Sequence, residues 1–138
     1  MAHEEVEKLL QLAEQARLNA YVPYSHFAVG AAIQTDHGDM FTGCNIENAS
    51  YGLTNCAERT AVFQMVAHGQ QRIRAIAVVA DTSRPISPCG ACRQVLAEFG
   101  EENTPVILAN VQGQKMLTTL GELLPYAFVK GDMSELEQ

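Results

Sequence analysis

Two short cysteine-bearing runs constrain this chain most: Asn55-Cys56-Ala57-Glu58-Arg59 and Ser87-Pro88-Cys89-Gly90-Ala91-Cys92-Arg93. Zinc is bound by thiolates or imidazoles, with four protein ligands closing a structural site and three plus an open position making a catalytic one. Cys56, Cys89 and Cys92 supply three, so the pattern reads as a catalytic zinc site, and the fold has to bring the two runs together. Each run also reads as a helix start. Asn55 is a good N-cap, and apolar Ala57, Ala61, Val62, Met65 and Val66 recur at helical spacing until Gly69. Ser87 caps the second helix, Pro88 suits its first position, and Gly100 ends it.

Two helix N-termini converging on one ion make electrostatic sense. Three thiolates on a zinc dication leave a net charge of about −1, which positive helix ends soften. Arg59 and Arg93 are expected to help. Side chains two apart on a helix diverge by about 200°, so Cys56 and Glu58 share a site only at the first turn, where both lean over the helix end.

Composition excludes several classes. At 138 residues the chain is expected to be one domain, residues 1–138, with a core that needs no metal or disulfide to form. No apolar run approaches the roughly 20 residues that span a bilayer, and the acidic start, Met1 to Lys8, lacks the apolar region of a signal peptide. Nine Lys plus Arg against sixteen Asp plus Glu give a net charge of −7 and no basic tract for phosphates, which argues against a polynucleotide partner. Without an export signal, the four cysteines are expected in a reducing, cytoplasmic setting as thiols.

Along the chain, residues 4–19 read as a packing helix and Tyr21 to Phe27 as the break after it. Ala28 to Thr35 and Met40 to Ile46 read as strands joined at Asp36-His37-Gly38-Asp39. A polar loop carrying Asn45, Glu47 and Asn48 leads to the first cysteine helix, and Ile73 to Ala80 is a buried-type strand feeding the second. Pro105 to Ala109 and Lys115 to Thr119 are a hairpin or a parallel pair; the residues leave both open. Leu120 to Leu124 is a helical turn, and Asp132 to Gln138 reads as a solvated tail.

Plainer readings exist for each motif. Asn55 and Glu58 fit a capping box, and Cys89-Gly90-Ala91-Cys92 fits a redox pair. Neither accounts for Cys56 with Glu58 at one helix start and a Pro-Cys-x-x-Cys run at another. A structural zinc module with Cys44 as fourth ligand is the stronger rival, although Cys44 sits in a strand-like segment that suits a small buried residue. None of the four histidines is assigned a role.

With Cys56-Ala57-Glu58-Arg59 and Pro88-Cys89-Gly90-Ala91-Cys92 in place, the chain closely resembles the short, homotetrameric, three-cysteine cytidine deaminases. The resemblance extends to Tyr21-Val22-Pro23-Tyr24-Ser25-His26-Phe27, Gly43-Cys44-Asn45-Ile46-Glu47-Asn48 and Leu123-Leu124-Pro125-Tyr126-Ala127-Phe128. It implies a three-layer α/β fold with a mixed five-stranded sheet flanked by helices, and a homotetramer whose active sites neighbouring subunits complete. It implies one zinc per subunit on Cys56, Cys89 and Cys92, Glu58 moving protons, Phe27 packing on the pyrimidine, and Asn45 and Glu47 bonding the ribose 3′-hydroxyl.

Ala49, Tyr51 and Phe128 correspond to positions that serve a neighbour's site, and the Ala57 N–H is placed to bind the ring carbonyl at C2. Tyr126 departs from the resemblance, since many relatives have glycine there. The implied reaction is hydrolysis of cytidine and 2′-deoxycytidine to uridine, 2′-deoxyuridine and ammonia in pyrimidine salvage, with water activated at zinc attacking C4. A deaminase of a cytosine-containing antibiotic such as blasticidin S is the alternative enzyme, and a non-catalytic structural zinc protein the alternative of another class.

Overall fold

The computed structural model describes residues 1–136. Five strands form one mixed sheet: β1 (Val29–Thr35), β2 (Met40–Cys44), β3 (Ile73–Ala80), β4 (Pro105–Asn110) and β5 (Lys115–Thr119), in the order β2-β1-β3-β4-β5. All pairs are antiparallel except β3 with β4, whose parallel register, Ile76 opposite Val106 to Ala80 opposite Asn110, needs a crossover. Helix α3 (Gly90–Phe99) makes that crossover, preceded in the chain by α1 (His3–Arg17) and α2 (Ala57–Ala67). Two short helices, α4 (Leu120–Leu123) and α5 (Lys130–Leu136), follow β5.

The strand pattern explains the layering. Along β3, Ala75, Ala77 and Val79 pack with Leu9, Leu10 and Ala13 of α1, while Ile76 and Val78 pack with Ala61, Val62 and Met65 of α2 and Leu96 of α3. A strand buried on both faces has to be apolar throughout, which is why Ala-Ile-Ala-Val-Val-Ala does not alternate with polar residues. Three layers result, one helix on one face and two on the other.

Small residues set how close the layers come. At Gly30 of β1 a Cβ would strike the Ala13 carbonyl oxygen and lie 2.6 Å from the Arg17 amide, so α1 rests directly on strand backbone. At Gly43 of β2 the neighbour is α2: a Cβ would lie 2.5 Å from the Ala57 carbonyl oxygen and 2.9 Å from Thr60 Cβ. The helix that begins with the first cysteine run is therefore seated on a glycine.

The structure corrects some sequence expectations and decides one. The β4–β5 connection is a hairpin, closed by Asn110, whose side-chain oxygen accepts from the Gln114 amide at 2.9 Å, with Gly113 at φ 95°. The caps move inward: α2 starts after Cys56 and α3 after Cys89, not after Asn55 and Ser87, and neither cysteine side chain caps its helix. Asn55 cannot act as the cap because its carbonyl, which an N-cap uses to accept the first intrahelical bond, accepts instead from the Ile46 amide at 3.0 Å, and its own N–H is spent on the Ile46 carbonyl at 2.9 Å. The capping-box reading fails for the same reason.

The second strand ends at Cys44 rather than Ile46. Val66, grouped with the buried stripe of α2, is exposed, whereas Ala61, Val62 and Met65 are buried. The chain is helical from Lys130 to Leu136, which does not conflict with reading Asp132 to Gln138 as a solvated end, and Asp132 accepts from the Val129 amide at 2.8 Å; Glu137 and Gln138 lie outside the described residues. Among the described residues, no helix is long and apolar enough to cross a membrane.

Candidate active site

The two helix starts meet as expected. The Sγ atoms of Cys56, Cys89 and Cys92 lie within 4.8 Å of one another, with Cys56 and Cys89 at 3.9 Å, and all are free thiols. Tetrahedral zinc with Zn–S bonds of about 2.3 Å places its sulfurs roughly 3.8 Å apart, so the donor set fits zinc with one position left open. Cys89 and Cys92 form no disulfide, as a redox pair would allow them to. Cys44 is not in the cluster; burial alone pushes its thiol pKa up.

Local chemistry prepares the cluster for a cation. Hydrogen bonding from Cys92 draws the Cys56 thiol down to about 5 against the opposing effect of burial, and Arg59 Nη2, 3.3 Å from Cys56 Sγ, adds to the stabilisation of the thiolate. Cys92 is pushed up correspondingly, by giving that hydrogen bond and by its own burial. Arg59 is itself held more firmly protonated by the Cys56 contact. Arg93, expected to do the same, instead donates to the carbonyl oxygens of Pro88 at 2.8 Å and Leu123 at 2.7 Å, clamping the start of α3 to α4.

Glu58 stands in the first turn of α2, two residues after Cys56, and is 5% exposed. Burial pushes its carboxyl up to about 7, the negative Cys56 adding to the shift and its own backbone N–H opposing it. A carboxyl poised there can take and return a proton near neutral pH. Because the Cys56 side chain does not cap α2, the Ala57 amide has no intrahelical partner and remains free for a ligand.

The polar loop before α2 is tied to the Tyr21–Phe27 break. Asn45 Nδ2 donates to the Phe27 carbonyl at 2.7 Å, and its Oδ1 accepts from the Val29 amide at 2.9 Å. Glu47 Oε1 accepts from the amides of Tyr24 and Ser25 at 3.0 and 3.1 Å, and its Oε2 accepts from the Ser25 hydroxyl. The Ser25 contact is the main reason the Glu47 carboxyl lies below its ordinary range. Phe27 is exposed on this loop.

The remaining expected residues are placed at the surface. Ala49 is exposed, and Tyr51, 76% exposed in the 3-10 turn Tyr51–Leu53, meets Tyr24 edge to face with ring centroids 6.1 Å apart. Phe128 is 57% exposed, its backbone carbonyl held by Gln94 of α3 at 2.9 Å. Tyr126 adopts φ 57°, a conformation that glycine takes without strain, and it keeps its ring in solvent. Sequence reasoning gave Ser25 no role; the only available signal was a hydroxyl residue beside the Pro-Tyr pair, common in ordinary turns.

Fold and site together define a class: a three-layer α/β protein with a three-thiol cluster that fits a metal and a buried carboxyl beside it at paired helix N-termini. The chain belongs to the cytidine and deoxycytidylate deaminase family, whose zinc-binding region matches residues 3–108. It is 55% identical to the cytidine deaminase of Sporosarcina psychrophila over 130 residues, covering 94% of this chain and 96% of that protein. To the cytidine deaminase of Halalkalibacterium halodurans it is 56% identical over 129 residues, covering 94% and 98%. The crystal structure of cytidine deaminase from Burkholderia pseudomallei superposes with a TM-score of 0.87 at 53% identity, over 93% of this chain and all of that one.

Proposed function

We propose that this chain is a zinc-dependent hydrolytic deaminase of cytidine and 2′-deoxycytidine, forming uridine or 2′-deoxyuridine and ammonia in pyrimidine salvage. The observation that carries the reading is the buried Glu58 carboxyl beside three thiols that fit zinc and leave one position open. Zinc held by Cys56, Cys89 and Cys92 would supply a Lewis acid able to lower the pKa of a water toward about 7. Arg59 and the two helix ends offset the negative charge of the thiolates.

Glu58 takes a proton from the water that attacks C4, delivers it to N3 of the ring, and then carries the remaining proton of the new C4 hydroxyl to the amine as the C4–N4 bond breaks, leaving the C4 carbonyl and ammonia. The Ala57 amide, uncapped at the head of α2, holds the C2 carbonyl oxygen. Phe27 packs on the pyrimidine. Asn45 Nδ2 keeps one hydrogen beyond its bond to Phe27, and Glu47 keeps acceptor capacity, which together match a ribose 3′-hydroxyl that both accepts and donates.

The exposed positions of Ala49, Tyr51 and Phe128 suit service to a neighbouring subunit's site, in a cytoplasmic homotetramer of single-domain chains. Ammonia release from cytidine, 2′-deoxycytidine and blasticidin S tests the substrate. The expected order is rapid turnover of both nucleosides and little of the antibiotic; the reverse order would overturn the nucleoside reading. A sedimentation mass of four chains is expected, and a monomer would remove the shared-site assignments.

A further inference from the structure

We propose that Ser25 is a positioning residue for sugar recognition, its hydroxyl fixing the one oxygen of Glu47 that has room for a ligand. This rests on the reading of Glu47 as a partner of the ribose 3′-hydroxyl. A carboxylate offers about four acceptor sites, two on each oxygen. Oε1 of Glu47 is filled by the amides of Tyr24 and Ser25, at 3.0 and 3.1 Å. Oε2 accepts from the Ser25 hydroxyl and keeps one site open.

The direction of that bond is forced. The Phe27 amide donates to Ser25 Oγ at 3.0 Å, so the hydroxyl hydrogen is left for Glu47, which as a carboxylate can only accept. Ser25 thus joins the carboxylate that faces the sugar to the loop that carries Phe27, while Asn45 holds the same loop at the Phe27 carbonyl. Removal of the hydroxyl frees a second site on Oε2, lets the carboxylate turn, and leaves the Phe27 amide without its acceptor.

The test compares kcat/KM for cytidine and for 3′-deoxycytidine in the wild type, Ser25→Ala and Ser25→Thr, with melting temperature and zinc content measured on each. A hydrogen bond to a charged group is typically worth a tenfold or larger factor, so the preference for cytidine should fall about tenfold in Ser25→Ala. Zinc content should not change, and Ser25→Thr, which retains the hydroxyl, should stay within about twofold of the wild-type preference. An equal loss on both nucleosides, an unchanged preference, or a Thr variant as indifferent as the Ala variant would overturn the proposal. A wild type that handles both nucleosides equally would overturn the reading of Glu47 itself, and the role of Ser25 with it.

Discussion

Gly43→Ala adds one methyl group where the sheet carries the active-site helix. The new Cβ would lie 2.5 Å from the Ala57 carbonyl oxygen and 2.9 Å from Thr60 Cβ, against an ordinary contact distance of at least 3.4 Å. Neither β2 nor α2 can yield at a flexible side-chain end, because two of the atoms struck are helix backbone at Ala57 and Ala61. Ala57 and Ala61 are fully buried, so α2 has to lift by roughly 1 Å at its first turn. Overpacking of this kind costs about 1–3 kcal/mol, a fall in melting temperature of roughly 4–12 °C for a chain of this size. Because Cys56 and Glu58 ride on that turn, kcat/KM should drop by about 10². Thermal unfolding and steady-state ammonia release read both effects, with Gly131→Ala, where a Cβ meets nothing within 4 Å, as the control. Wild-type melting and turnover in Gly43→Ala would refute the close seating of α2 on β2.

Three further outcomes are expected. Glu58→Gln should retain zinc and lose at least the roughly 10²- to 10⁴-fold that general acid–base catalysis supplies, whereas near wild-type turnover would remove Glu58 as the proton carrier. In metal-free protein, burial holds the Glu58 carboxyl protonated up to about 7 against an ordinary value of 4.5. The unfolded chain then binds fewer protons than the folded one between those values, so this group's contribution to stability falls as pH rises through that window, by about 3 kcal/mol. Cys56, drawn down to about 5, has the opposite slope, so the quantity to measure by urea unfolding is the difference between wild type and Glu58→Gln. A difference that is flat from pH 4.5 to 7 would contradict the burial argument. Cys44→Ser should leave zinc content intact, since Cys44 lies outside the three-thiol cluster; loss of metal would revive the four-cysteine structural site.

What the sequence made legible was chemistry carried by local pattern. Ile73 to Ala80 reads as a doubly buried strand because both its faces are apolar, and the structure gives those bounds. The meeting of the cysteine runs follows from zinc's ligand number, and their places near helix starts from apolar spacing and the Ser87-Pro88 signal. The start of α2 lies one residue later than the local pattern suggests because the Asn55 carbonyl and N–H are taken by Ile46, a pairing across a loop that no local propensity encodes. Arg93 was misjudged for a similar reason, its partner Leu123 being 30 residues away. Helix α5, Lys130–Leu136, is short and opens on Lys130 followed by a Gly-Asp pair, so its few apolar positions did not announce it. Asn45 and Glu47 were legible as site residues only through resemblance, and their hold on the 24–29 segment, 16 to 23 residues distant, needed the fold.

The central claim, that three thiols and Glu58 form a zinc-dependent deaminase centre, is tested most directly by one preparation measured twice. Zinc content and ammonia release from cytidine are determined on the metal-replete protein, then again after chelation. The account predicts about one zinc per chain with rapid ammonia release, both lost together on chelation and restored by zinc. Zinc without release, or release that survives complete removal of the metal, would contradict it.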